Sequence, residues 1–210
     1  MKHIEYEVLY RLLTRAAEIA AEPAMHPSVV TVYENVLQSP AQAFRKAHVD
    51  LLAAESVRAK ERDERGMALD ALDGHYKVAR SVLLAFAPHT VLPDTLKAQT
   101  TDTDKVNAAT RLFDMLGQYA GNVWADELLA GPFGVITQEM VKEHDEAVAA
   151  EMALAKARAF RQEACSLAYE KLLAYKRVVR DALGATSKQY RRIHLLRGSA
   201  KEDAAVDSTP

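Results

Sequence analysis

Apolar residues recur at three- and four-residue spacing along most of this chain, and no long stretch alternates apolar with polar. That period predicts helices throughout and no sheet. Two stretches stand out, 40 to about 87 and 137 to about 183, each free of internal proline and with glycine only at Gly66 and Gly74. At 1.5 Å per residue each predicts a rod of roughly 70 Å, far longer than an ordinary globular helix.

The rest of the chain predicts shorter helices. Tyr6, Leu9, Leu13, Ala16 and Ala20 mark a first helix over about 3–21, with Ile4, Val8, Leu12 and Ile19 widening its apolar stripe. Pro23 and Pro27 end it, and Ser28 is read as the N-cap of a short helix over 29–38. Ser39 then caps the first rod, with Pro40 at its first helical position. Along that rod one heptad phase holds Ala41, Phe44, His48 and Leu51 at the start, and Leu69, Leu72, Tyr76, Ala79, Leu83 and Phe86 at the end. Between them the same positions read Glu55, Arg58, Arg62 and Arg65, inside a charged run over 58–65 where Glu61 and Arg65 are spaced to pair. Gly66 costs only about 1 kcal/mol in a helix, so the rod is read as continuous.

A connection opened by Pro88 and Pro93 ends in Thr101-Asp102-Thr103-Asp104, rich in capping residues. A third helix follows to about Ala130, with a seam of Val106, Ala109, Phe113, Leu116, Ala120 and Val123. Gly131-Pro132-Phe133-Gly134 reads as a stop and turn. Thr137 is then read as the N-cap of the second rod, with Ile136 and Val141 as a hydrophobic staple. The seam of that rod runs Cys165, Ala168, Leu172, Tyr175, Val179, Ala182, and Gly184 is its C-cap. A short basic helix over 187–197 precedes a polar tail, 198–210, with the composition of a disordered segment.

These elements predict an all-α fold: an elongated antiparallel helical bundle of two αα-hairpins, each pairing a shorter helix with a long rod. It forms one domain over 1–197. Residues 76–83 resemble 175–183 with one residue inserted, a match that either a duplication of hairpins 1–87 and 104–184 or chance similarity between two amphipathic helices would produce. The shorter helices span only ~40 Å against ~70 Å for a rod. A seam as apolar as Leu69, Leu72, Leu83 and Phe86 therefore calls for a further partner, most simply a second copy of the chain.

Composition narrows the function classes. Hydrophobic residues make up 49% and charged residues 27%, enough apolar surface for a sizeable core. A single cysteine, Cys165, excludes an intrachain disulfide, a zinc cluster and a CxxC redox motif. Glu5 and Glu7 stand where a signal peptide needs apolar residues, and no apolar run approaches the roughly 20 residues of a membrane span. The expectation is a soluble, cytoplasmic protein.

Motifs for chemistry are sparse. None of the seven histidines follows a glutamate by three positions, so a bundle di-iron site is not predicted. Glu143-His144-Asp145-Glu146 radiates around a helix and reads as a solvated face. His48 and Cys165 lie on seams, as a hydrogen-bonded boundary histidine and a packed thiol without a local cationic neighbour. Gly117 and Gly121 form a GxxxG read as close packing within the chain, and Trp124 and Tyr119 are read as core. No metal or cofactor site is predicted.

Charge is the uneven feature. The formal net charge is −2, yet between Cys165 and Lys201 nine Lys and Arg face only Glu170 and Asp181, a local excess of +7. Arg177, Arg180, Lys188, Arg191 and Arg192 are the residues expected to meet an acidic partner or nucleic acid. The leading expectation is a homodimeric, non-enzymatic interaction or assembly protein. A polyanion-binding module comes next, and an enzyme with a site between helices third.

Overall fold

The computed structural model describes residues 5–194, and among them every regular element is helical. The all-α bundle expected from the apolar period is the fold. The helices are α1 (Tyr6–Ala20), α2 (Pro27–Val32), α3 (Gln38–Phe86), α4 (Asp102–Gly117), α5 (Val123–Ala130), α6 (Pro132–Leu183) and α7 (Lys188–Ile193). The expected tail 198–210, and the ends of the expected helices at 3–4 and 195–197, lie outside the described residues. Contacts divide the described residues into two compact units, one of residues up to 51 together with those from 157 on, and one of residues 52–156. The boundaries of these units fall inside α3 and α6.

In the first unit, α1 places Leu9, Leu13, Ala16 and Ile19 against Phe44 of α3 and Ala168, Leu172, Tyr175 and Val179 of α6. The short helix thus packs on both long ones, as its broad apolar stripe requires. Each leucine fully buried here contributes about 1.5–3 kcal/mol. Tyr175 is wholly buried, and its hydroxyl donates to the Ala16 carbonyl at 3.2 Å. Desolvation, with Tyr33 and Glu22 nearby, raises its pKa strongly, so it stays a neutral donor.

The entry to α3 differs from expectation. Ser39 is no cap: a π-helical turn, Tyr33–Leu37, joins α2 to α3 without a break. Pro40 lacks an N–H and its ring crowds the carbonyl four residues back, and a widened turn just upstream relieves that conflict. His26 rather than Ser28 caps α2, its Nδ1 accepting from the Ser28 N–H at 3.3 Å, with Pro27 in the first turn.

In the second unit, Leu69, Leu72, Tyr76, Ala79 and Leu83 of α3 pack with Val106, Ala109, Leu112 and Leu116 of α4 and with Phe133 and Met140 of α6. The seam for which a second chain was expected is therefore covered within the chain, and only Phe86 remains open, stacked on Trp124 at 4.7 Å. Tyr76 repeats the role of Tyr175: fully buried, it donates to the Asp94 carbonyl at 2.8 Å, while Arg80 Nε donates to the Pro93 carbonyl at 2.9 Å. These bonds hold the 88–101 connection on α3. Thr101 and Asp104 form a capping box at the start of α4.

Helix α3 runs unbroken through Gly66, and its charged stretch finds partners other than the one expected. Arg65 pairs with Asp102 at 3.1 Å rather than with Glu61, and Lys60 pairs with Glu61 and Glu64. The expected third helix is two. Chain direction changes at Gly121, whose φ of +91° suits glycine. A Cβ on Gly117 or Gly121 would meet nothing within 4 Å, so the GxxxG is no close-packing face.

Helix α6 starts five residues before Thr137, with Pro132 in its first turn. Thr137 is buried inside it and donates to the Phe133 carbonyl at 2.7 Å, so neither the expected cap nor the Ile136–Val141 staple marks its start. Gly134 permits the tight approach of α5: a Cβ there would lie 1.8 Å from the Leu129 carbonyl oxygen.

Gly134→Ala is expected to destabilise the protein by more than about 1–3 kcal/mol, because the obstruction is backbone. Gly66→Ala meets open space and is expected to be neutral or stabilising by up to about 1 kcal/mol. Thermal melts of the two variants by circular dichroism test the contrast.

Candidate anion-binding cleft

Helix α6 carries two parallel stripes in the first unit. Ala168, Leu172, Tyr175 and Val179 form the buried one. One position further on, Tyr169, Leu173, Lys176 and Arg180 repeat the same spacing and line an open cleft of about 310 Å³ with Arg177. Tyr190 and His194, from α7 and the residue after it, complete the lining, their ring centroids 5.1 Å apart. Ser187 caps α7 by accepting from the Tyr190 N–H at 3.2 Å, and Gly184, with φ of +87°, turns the chain from α6 into it.

Lys176 is the distinctive group. It is only partly exposed, and burial pulls its ammonium down from 10.5 to about 8. Among the described residues it forms no ion pair. A lysine in this setting is charged at neutral pH, and an anion entering the cleft would offset its desolvation. Beside it, Arg180 Nε pairs with Asp181 at 2.9 Å, and Arg177 is exposed.

The five cations expected to meet a partner thus separate. Arg177 and Arg180 line the cleft. Lys188 and Arg191 are exposed on α7 and do not line it. Arg192 is engaged within the chain, with Nη1 2.7 Å from Glu22 and Nη2 2.6 Å from Glu18. Gln189 also donates to Glu22 at 2.9 Å, and Arg15 donates to the Arg192 carbonyl at 3.2 Å. These contacts clamp α7 onto α1 and so position Tyr190. Lys176, Tyr169, Tyr190 and His194 had not been singled out as site residues, although the 169-173-176-180 stripe can be read from spacing alone.

Other chemistry-bearing groups are arranged differently. Glu143 and Glu146, read as a solvated face, bring carboxylate oxygens within 4.8 Å of Glu61. Lys142 bridges Glu143 and Glu146 at 3.3 and 3.5 Å, and Lys60 lies 3.5 Å from Glu61, so lysines already offset the cluster. Hydrogen bonding to Glu64, with the charge of Glu61, raises the Lys60 pKa, and Lys142 is raised in the same way by Glu143 and Glu146. Cys165 is buried, and desolvation pushes its thiol up against a smaller opposing pull from Arg161, a cationic neighbour one turn away that the seam reading missed. His48 is a boundary residue, but its buried Nδ1 has no hydrogen-bond partner. Tyr119 and Trp124 pack on the core of the second unit as expected.

Comparison with protein-family models, with curated proteins and with solved structures yields no match. Fold and cleft together define the class of protein: an all-α helical bundle with a basic, aromatic-walled cleft along one of its long helices. No helix among the described residues is long and apolar enough to cross a membrane.

The depressed pKa of Lys176 has a stability consequence. Between about 8 and 10.5 the unfolded chain holds a proton that the folded chain has lost, so this group's contribution makes stability rise with pH across that window. Below about 8 both states are protonated, and the folded state carries the full cost of a desolvated charge. Lys176→Met is expected to raise the melting temperature at pH 7, with a gain that shrinks as pH rises from 8 to 10.5. Thermal denaturation of both proteins at several pH values tests this.

Proposed function

We propose that this protein is a non-catalytic helical binding module that captures a phosphate-bearing polyanion, such as nucleic acid, in the cleft of its first unit. The observation that carries the reading is Lys176, a partly buried cation that has no ion-pair partner among the described residues, flanked by Arg177 and Arg180 in one recess. Desolvated cations of this kind favour an incoming anion more strongly than solvated ones do. The overall charge of −2 makes binding local to this face. A cytoplasmic setting suits the lone cysteine, since thiols stay reduced there.

Binding of a fluorescent single-stranded oligonucleotide tests the proposal. Engagement of three cations predicts that log K falls with log salt at a slope of roughly −2. Arg177→Glu with Arg180→Glu is expected to abolish binding while helix content is retained, whereas Arg191→Ala changes affinity little. No binding at low salt by the unaltered protein would overturn the reading.

A second reading is self-association, which now rests on a different surface from the Leu69–Leu83 seam. In the second unit, Val148 and Met152 stand one turn apart on α6 with 40% and 70% of their surface exposed, and Leu52 and Val57 of α3 are about half exposed. Such side chains gain from burial against a second copy. Light scattering at micromolar concentrations is expected to give the dimer mass, and Met152→Asp the monomer mass. A monomer at all concentrations would exclude this reading.

A further inference from the structure

The cleft combines two chemistries that an inorganic anion alone would not use. Its α6 wall supplies three cations, and its α7 side supplies two adjoining rings, Tyr190 and His194, inclined at 46° to each other. Tyr169 adds a further ring on α6, one turn before Leu173. Cations beside aromatic rings are the combination that holds single nucleotides, because every base has a π-face and every unit a phosphate.

Size points the same way. About 310 Å³ is at the lower end of the roughly 300–1,000 Å³ typical of small-ligand pockets, which suits one nucleotide unit and not the breadth of a duplex. An acidic peptide would meet the cations but leave the rings unmatched. Arg192 stands outside this contact set, since Glu18 and Glu22 hold it.

We infer that the unit recognised in this cleft is a single nucleotide, its phosphate held by Lys176, Arg177 and Arg180 and its base stacked on the Tyr190–His194 side. The inference rests on the anion-binding reading above and adds the base to it. The same chemistry is presented by a free mononucleotide and by an unpaired stretch of a nucleic-acid strand.

Calorimetric titration of the full chain with adenosine monophosphate, ribose 5-phosphate, a single-stranded oligonucleotide and the matching duplex tests the assignment. The monophosphate is expected to bind about tenfold more tightly than ribose 5-phosphate, the difference being the stacked base. His194→Ala should remove most of that difference, while the ribose 5-phosphate affinity reports on the cations alone. His194 is exposed, so its substitution separates loss of stacking from loss of folding. Single strand binding more tightly than the free monophosphate identifies a strand as the source, and the reverse order identifies a free nucleotide; duplex is expected to bind weakest. Equal affinity for the monophosphate and ribose 5-phosphate, or a preference for duplex, would overturn the inference while leaving anion binding intact. Absence of binding by all four would overturn both.

Discussion

The interruption of the apolar seam on the two long helices is the constraint on which the rest of this structure depends. On α3 the buried positions run to Leu51 and resume at Leu69; on α6 they run to Leu154 and resume at Cys165. The intervening inward positions on α3, Arg58, Glu61 and Arg65, are only partly buried. Ionised groups cannot sit in a dry core without large desolvation costs, so they gather ion pairs and partial solvation instead. Two separate cores result, each completed by its own short helices. The secondary structure ignores the interruption because helix propensity is local and Arg, Glu, Lys and Ala all sustain it.

Within each core a tyrosine does comparable work. Tyr76 and Tyr175 are each fully buried on a long helix, and each satisfies its hydroxyl on a backbone carbonyl from another segment of its own unit. A buried phenol without such a partner would cost about 1–3 kcal/mol, so the bond fixes where that segment lies. The Tyr-Lys pair at each site places a lysine beside the tyrosine, with unlike results. Lys77 is solvated and pairs with Asp73 at 2.6 Å, whereas Lys176 is turned into a cleft and loses part of its hydration. The sequence resemblance thus persists as a shared core position, while the neighbouring charge has been put to different use.

The clamp of α7 on α1 joins fold to cleft. Arg192 connects to Glu18 and Glu22, and the segment so held presents Tyr190. Ion pairs this exposed are individually worth little, but Ile193 is wholly buried beside them and adds an apolar anchor. An arginine that looks available in a charge count therefore serves as a positioning group. The negative partners that engage it lie about 170 residues away in sequence.

The all-helical class, the long rods and most core positions of α1, α3 and the end of α6 were legible in the sequence, because burial on a helix imposes a period and leucine, alanine and tyrosine obey it. Leu112, Phe133, Met140 and Leu154 are buried off the expected seams, and Val123, placed on one, is exposed, because helix breaks and neighbouring segments reset which face turns inward. Boundaries were less legible. Ser39 and Thr137 have the chemistry of N-caps, yet a π turn and Pro132 carry helix past both sites, since capping preference is a small energy that packing overrides. The basic character of the C-terminal region also belonged to the sequence. What tertiary structure alone decided was which charges remain free. Ionisation follows residue type, but pairing and desolvation depend on segments distant along the chain. Only the folded chain withdraws Arg192 onto α1, gathers Glu61 with Glu143 and Glu146, and sets Lys176, partly buried, in its recess.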